Sequence, residues 1–89
     1  MSCSRELVIT NRRGLHARAS AKFVGLAATL PAAVEVEKDG HRVAGTSIMG
    51  LMMLGAAMGD TITISADGDG AEASVAALAD LVEAKFGEE

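Results

Sequence analysis

The sequence predicts an α+β fold, an open-faced β-sandwich in which three helices pack on one face of a four-stranded antiparallel sheet. Three observations lead to this prediction. The apolar pattern switches between strand and helix spacing in the order β-α-β-β-α-β-α. The pair Asp39-Gly40 between two strand patterns is a strong hairpin signal. The 89 residues suit one domain over residues 1–89, with an aliphatic core because the chain has two Phe and no Trp or Tyr.

In the first half of the chain, strand patterns flank one helix pattern. Residues 5–10 alternate weakly, with two apolar residues on one face, which indicates a strand. Residues 17 to about 29 have helical spacing, and Pro31 lies just past the end of this segment. Residues 33–38 alternate cleanly between valine and glutamate, and the hairpin signal leads from them into residues 41–44. We therefore expect a strand, a helix and a two-stranded hairpin.

The second half predicts a short helix, a strand and a long helix. Ser47 can cap a helix that runs to about Leu54, and Gly55 suits its end. Residues 60–66 alternate as a strand, and residues 71–86 have the spacing of an amphipathic helix. The predicted buried stripe of this last helix consists of Val75, Leu78, Val82 and Phe86.

Composition excludes several classes of function. The net charge of −4 and the scarcity of aromatic residues argue against a nucleic-acid partner. Residues 43–59 are uncharged, but they are too few and too rich in glycine to span a bilayer, which needs about 20 apolar residues. The single Cys3 forms neither an internal disulfide nor a metal site, and the first residues lack the apolar core of a signal peptide. We expect a cytoplasmic monomer without a metal or another cofactor.

The charges are unevenly distributed along the chain. Residues 1–23 hold five basic side chains and one acidic one, whereas residues 59–89 hold one basic side chain and eight acidic ones. A basic end would steer acidic partners or a phosphoryl group towards it. The alternative interpretation is that these are ordinary solubilising charges, and the sequence does not choose between the two.

The segment Gly14-Leu15-His16-Ala17-Arg18 is the most informative motif. It joins a polar loop to a helix pattern, so His16 should lie at a helix N-terminus, where free N–H groups and a positive partial charge favour an anion. Imidazole can act as an uncharged nucleophile near pH 7, and the Arg18 guanidinium suits phosphate oxygens. The motif predicts a phosphoryl group on a histidine nitrogen, with the backbone N–H groups of Ala17 and Arg18 as donors. The alternative is a histidine cap beside a solvated arginine.

Two segments in register carry a family resemblance. Residues 14–24 resemble the active-site segment of the HPr family (HPr/NPr), the histidine-containing phosphocarriers of the bacterial phosphoenolpyruvate-dependent phosphotransferase system. Residues 46–55 are similar to the regulatory serine and short second helix of that family, and the resemblance covers nearly the whole chain. Ala19 departs from the pattern, because many members have proline just after the arginine. Proline would preset the backbone for the first helical turn, so alanine leaves that turn looser.

The resemblance implies a carrier rather than an enzyme. His16 would accept a phosphoryl group at Nδ1 from Enzyme I, which is charged by phosphoenolpyruvate, and pass it to an EIIA-type acceptor. Arg18 would contact the phosphate oxygens. Ser47 would be a regulatory site for an HPr kinase/phosphorylase, and its alternative role as a helix cap is compatible with that one.

The segment after Ser47 is too apolar to be buried entirely, so we expect it to dock partners. The candidate docking residues are Ile48, Met49, Leu51, Met52 and Met53. Helical spacing would bury Leu51 together with Leu54 and leave the methionines more exposed, although we expect at least one of them to fill a gap in the core. His41, on a strand, is expected to be a solvated side chain.

Two other functions compete with the sugar-transport phosphocarrier. One is the nitrogen-branch HPr paralogue, which passes phosphate to regulatory partners, and the residues do not separate these two branches. The other is an interaction module of similar fold that is never phosphorylated. A metabolic enzyme is not expected, because the one histidine of catalytic type lacks a base, a metal set or a cofactor loop.

Overall fold

The computed structural model describes residues 2–88, which form four strands, three α-helices and one 3-10 helix. In chain order, the elements are β1 (Ser2–Val8), α1 (Ala17–Ala27), β2 (Val34–Lys38), β3 (His41–Ala44), α2 (Ile48–Met53), β4 (Thr61–Asp67), α3 (Ala71–Glu83) and the 3-10 helix (Lys85–Gly87). This order confirms the predicted succession β-α-β-β-α-β-α.

The strands form one antiparallel sheet in the order β1-β4-β2-β3. The inner strand β4 pairs Ile62 with Leu7 of β1 and Ile64 with Val36 of β2. Ile62 and Ile64 are fully buried, whereas Thr61, the first residue of β4, is exposed. This alternation follows from the two-residue period of a strand. The predicted four-stranded open sheet with three helices is confirmed.

The core lies between the sheet and the helices and is aliphatic apart from two phenylalanines. Helix α3 packs on β1, β4 and β2, and α1 contacts α2 and α3. The predicted stripe of α3 is confirmed, because each of its members is buried: Val75, Leu78, Val82 and Phe86. The other large side chains with almost no exposure are Phe23, Ile9, Leu51, Ile62, Ile64 and Val36.

The predicted bounds of the first strand were wrong at both ends. Strand β1 begins at Ser2 rather than at residue 5, because Ser2–Ser4 pair with Ser65–Asp67 of β4 although they have no apolar pattern. It ends at Val8, after which a backbone hydrogen bond of 2.8 Å joins Ile9 N–H to the Asp60 carbonyl. Pairing with the neighbouring strand therefore sets the limits of this edge strand more strongly than its own sequence does.

The last helix also ends earlier than predicted. Helix α3 stops at Glu83 instead of residue 86, and Lys85 and Phe86 both take left-handed backbone conformations, with φ of 58° and 56°. Phe86 nevertheless reaches the core, where it is 1% exposed. Burial of this ring thus determines the path of the chain beyond α3.

Within residues 2–88, no helix is both long enough and apolar enough to cross a membrane. The uncharged stretch at residues 43–59 instead forms the end of β3, the whole of α2 and the turn that leads to β4.

Candidate functional site

His16 lies at the N-terminus of α1, as predicted. Its backbone is extended, with φ −72° and ψ 177°, and its Nδ1 accepts a hydrogen bond of 3.2 Å from the backbone N–H of Arg18. This bond satisfies one of the N–H groups that a helix start leaves free. The ring is 19% exposed, so it is held in place yet open to a partner. His16 therefore caps α1, and this cap places Nδ1 against the positive end of the helix.

The loop of residues 12–16, which we call the histidine loop, is fixed to the turn that follows α2. The backbone N–H of Leu15 donates to the Ala56 carbonyl at 2.9 Å, and Gly14 N–H donates to the Asn11 carbonyl at 3.2 Å. Gly14 has φ +60°, and a Cβ added there would run into the Ala56 carbonyl oxygen and approach the Ala57 Cα to 2.9 Å. Only glycine fits this close approach without distortion.

Asn11 is a site residue that the sequence pattern did not reveal. It is 1% exposed, and its Nδ2 donates both to the Gly14 carbonyl at 2.9 Å and to Glu88 Oε2 at 2.8 Å. Its buried Oδ1 has no hydrogen-bond partner among residues 2–88. Through the two bonds that it donates, Asn11 fastens the histidine loop to Glu88.

Glu88 is the second residue that the sequence did not place at the site. Its Oε2 lies 2.7 Å from His16 Nε2, so one carboxylate oxygen receives both the imidazole and the Asn11 amide. The Glu88 side chain is 22% exposed. The uneven charge distribution is also seen in the structure, because Glu88, an acidic residue from the second half of the chain, contacts His16 within the basic segment 1–23.

The hydrogen bond from His16 lowers the pKa of Glu88, and the Asn11 amide and the charges of His16 and Arg13 lower it further. Partial desolvation opposes these effects by raising the pKa of Glu88, but the net direction is downward. The carboxylate is therefore ionised at neutral pH, and it faces the imidazole as an anion.

A strained turn brings Glu88 to the site. Successive positive φ values of 58°, 56° and 80° occur at Lys85, Phe86 and Gly87. Each left-handed residue other than glycine costs roughly 1–3 kcal/mol. Burial of Phe86, worth about 1.5–3 kcal/mol, and a hydrogen bond of 2.7 Å from Lys22 Nζ to the Phe86 carbonyl offset that cost.

Arg18 and Ala17 lie in the first turn of α1, next to His16. Both residues are exposed, so the guanidinium of Arg18 and the start of the helix are open to an incoming group. The Arg18 N–H donates its hydrogen bond to His16 Nδ1. The backbone N–H of Arg18 is therefore a hydrogen-bond donor to the imidazole ring.

Ser47 caps α2, which confirms one of its two predicted roles. Its Oγ accepts a hydrogen bond of 2.9 Å from the backbone N–H of Gly50. Exposed apolar side chains follow it on α2, and we call them the methionine face: Ile48, Met49, Met52 and Met53. Met49, Met52 and Met53 are 70%, 45% and 79% exposed, so the expectation that one of them fills a gap in the core was wrong.

Leu51 is not part of this surface, and its inclusion among the docking candidates was wrong. It is fully buried, next to the buried Leu54, because the three-residue spacing places both on the face of α2 that points to the core. Since α2 packs against α1, the methionine face belongs to a helix adjacent to the one that His16 caps.

Among the residues that the structure describes, no three His, Cys, Asp or Glu side chains are grouped so as to hold a metal ion. His41 is exposed on β3, which confirms that it is a solvated side chain, and Cys3 is a partly buried free thiol.

Comparisons with known proteins identify the family of the chain. Residues 3–84 match the family described as "PTS HPr component phosphorylation site". The chain is 43% identical over 84 residues to the phosphocarrier protein HPr of Cupriavidus necator, with 94% of each chain covered. It is 39% identical over 84 residues to the phosphocarrier protein NPr of Shewanella violacea, with 94% of this chain and 92% of that one covered.

Solved structures show the same likeness in three dimensions. The crystal structure of HPr-C-His from Thermoanaerobacter tengcongensis superposes with a TM-score of 0.92 at 45% identity, and 98% of each chain is covered. The phosphocarrier HPr of Bacillus anthracis superposes with a TM-score of 0.87 at 38% identity, over 91% of this chain and 96% of that one.

Proposed function

The chain belongs to the HPr family of phosphocarrier proteins, which are carriers and not enzymes, and on this premise we propose its reaction. Nδ1 of His16 accepts a phosphoryl group from Enzyme I charged by phosphoenolpyruvate, and the group then passes to an EIIA-type acceptor. One observation carries the proposal: a partly exposed imidazole caps α1 and directs Nδ1 at the N-terminus of that helix.

The helix start suits a phosphoryl group on Nδ1. Formation of the nitrogen–phosphorus bond uses the lone pair that now accepts the Arg18 N–H. That N–H, together with the neighbouring N–H of Ala17, can then donate to phosphate oxygens, and the positive end of α1 favours the added negative charge. The free and the phosphorylated states would therefore use the same backbone donors, so the group is steadied without being trapped.

Arg18 adds the second component of the proposed site. Its exposed guanidinium is two residues from His16, in the first helical turn. A guanidinium presents paired donors that match the oxygens of a phosphoryl group and the carboxylates of a partner. We assign it to stabilise the group while it moves between proteins.

The methionine face is the proposed docking surface for Enzyme I and for the acceptor. Exposed methionines adapt to several partner surfaces because the side chain is flexible and polarisable. Ser47 begins this face, so its phosphorylation by an HPr kinase/phosphorylase would place a dianion in an apolar contact. Desolvating that charge on docking is costly, and Ser47 would thus regulate transfer through partner binding.

A nitrogen-branch role is the second candidate, supported by the likeness to the NPr of Shewanella violacea. Both branches use the same chemistry at the histidine, and they differ in the acceptor protein. Incubating the phosphorylated protein with EIIA-type acceptors of each branch separates them, because the faster acceptor identifies the branch.

The test of the central proposal is labelling by phosphoenolpyruvate and Enzyme I, followed by intact mass measurement and acid treatment. The wild-type protein should gain one acid-labile phosphoryl group, and His16→Ala should gain none. His41→Ala is the matched control, since it removes the chain's other histidine from an exposed strand and should be labelled normally. Undiminished labelling of His16→Ala would refute the proposal.

A further inference from the structure

We propose that Glu88 is a positioning residue for the chemistry at His16, an inference that rests on the proposed phosphoryl transfer. Its carboxylate holds the Nε2 proton of the imidazole, keeps the lone pair on Nδ1 and stabilises the positive charge of the phosphorylated ring. The observation behind it is the contact of 2.7 Å between Glu88 Oε2 and His16 Nε2, two residues that are 72 positions apart.

The hydrogen bonds around the ring determine its tautomer. A backbone N–H is always a donor, so Nδ1 of His16, which accepts from the Arg18 N–H, carries a lone pair and no proton. In the neutral ring the proton is then on Nε2, and Nε2 donates it to the Glu88 carboxylate. The two partners therefore favour the same tautomer, the one in which Nδ1 is the nucleophile.

Glu88 is itself held from two directions. Asn11, which is almost fully buried, donates from Nδ2 to the same oxygen of Glu88 that receives the ring. The backbone just before Glu88 is tied down by the burial of Phe86 and by the Lys22 Nζ bond to the Phe86 carbonyl. A carboxylate that is held by hydrogen bonds of its own can orient a histidine ring.

The transfer step balances without the loss of a proton. The Nδ1 lone pair forms the new bond to phosphorus, the bond between phosphorus and the donor breaks, and its electron pair stays with the donor. Nε2 keeps its proton, so the phosphorylated ring gains positive charge, which the Glu88 carboxylate offsets through the hydrogen bond. In the onward transfer the same steps run in reverse, and the ring returns to its starting tautomer.

The negative charge of Glu88 is compatible with an incoming phosphoryl group. The carboxylate contacts Nε2 on one edge of the ring. The phosphoryl group approaches Nδ1, the other ring nitrogen, which faces the start of α1. Arg13 lies close enough to act electrostatically on the carboxylate, and it reduces the repulsion between the two anions.

The experiment compares wild-type protein with Glu88→Ala, Glu88→Gln and the control Glu72→Ala. Glu72 is exposed in the first turn of α3, beside Ser2 at the opposite end of β1 from the histidine loop, so the control removes the same charge elsewhere. The initial rate of phosphoryl transfer from phosphorylated Enzyme I should fall about tenfold in Glu88→Ala. Glu88→Gln should lose less, about threefold, because its amide oxygen keeps a weaker, neutral bond. The control should match wild type.

A second readout follows the tautomer directly. Nitrogen-15 NMR of the histidine rings, at a pH where imidazole is uncharged, should show His16 protonated on Nε2 in wild type and in Glu72→Ala. Glu88→Ala should contain a larger share of the other tautomer. A merely structural role for Glu88 would lower stability without changing these ring resonances.

The outcomes separate the inference from the function on which it rests. Equal or faster transfer in Glu88→Ala, or unchanged ring resonances, would overturn the role of Glu88 while His16 labelling still supports the carrier. If wild-type protein accepts no phosphoryl group, the proposed function fails, and the ring resonances still test the Glu88 contact by themselves.

Discussion

The histidine loop and the methionine face are neighbours, but they are built in opposite ways. His16 is fixed through both ring nitrogens, and the loop that carries it is bonded to Asn11 and to the turn at Ala56. The methionine face rests on a six-residue helix with one side-chain cap, and its side chains are largely exposed. The comparison indicates that the chemistry depends on fixed geometry, whereas partner recognition depends on an adaptable apolar surface.

The largest effect is expected from a substitution that disturbs the fixed loop. Gly14→Ala should lower the free energy of unfolding by about 2–4 kcal/mol, because the added Cβ meets the Ala56 carbonyl and φ is positive. Chemical denaturation measures this change. Gly25→Ala is the control, since its Cβ would enter open space on α1 and should stabilise the protein by about 0.5–1 kcal/mol. Similar effects of the two substitutions would show that the loop is not tightly fitted.

A smaller effect, confined to transfer, is expected at Arg18. Arg18→Ala removes one charge-assisted contact, worth roughly 1.5–3 kcal/mol, so transfer to and from the protein should slow about tenfold to more than a hundredfold. Circular dichroism should stay unchanged because the side chain is exposed. Arg5→Ala removes an equal charge from exposed β1 and serves as the control. Transfer rates that match those of the control would exclude Arg18 from the site.

Substitutions of Ser47 test the role of the methionine face. Ser47→Ala should lower stability by about 1 kcal/mol through loss of the cap, with little effect on transfer. Ser47→Asp keeps a capping oxygen, so it should melt like wild type, yet bind Enzyme I about tenfold more weakly because its charge must be desolvated. Titrations and melting curves of both variants measure these effects. Equal Enzyme I affinity for wild type and Ser47→Asp would mean that Ser47 is only a cap.

The sequence could predict the parts of this molecule that follow from local patterns. Alternation in β2 and β4, the stripe of α3 and the turn at Asp39-Gly40 are each determined by neighbouring residues, and the structure confirms them. The place of His16 at the start of α1 follows equally from a short local motif. On α2, spacing alone separates the buried Leu51 from its exposed neighbours.

The contact between His16 and Glu88 could not be predicted in this way. It joins residues 72 positions apart, and the chain reaches it through left-handed conformations at Lys85 and Phe86 that their residue types disfavour. Residues 84–86 have ordinary helical propensity, so the pattern favoured a longer α3. Burial of Phe86 and the Lys22 bond decide the path instead, and both depend on the completed fold.

The most direct test of phosphoryl transfer to His16 is to identify the phosphorylated nitrogen in the intact protein. A long-range proton–nitrogen NMR spectrum of protein charged by phosphoenolpyruvate and Enzyme I distinguishes the two nitrogens of the His16 ring. We expect phosphorus on Nδ1, at the start of α1, and a proton on Nε2, facing Glu88. A phosphoryl group on Nε2, or on a residue other than His16, would contradict it.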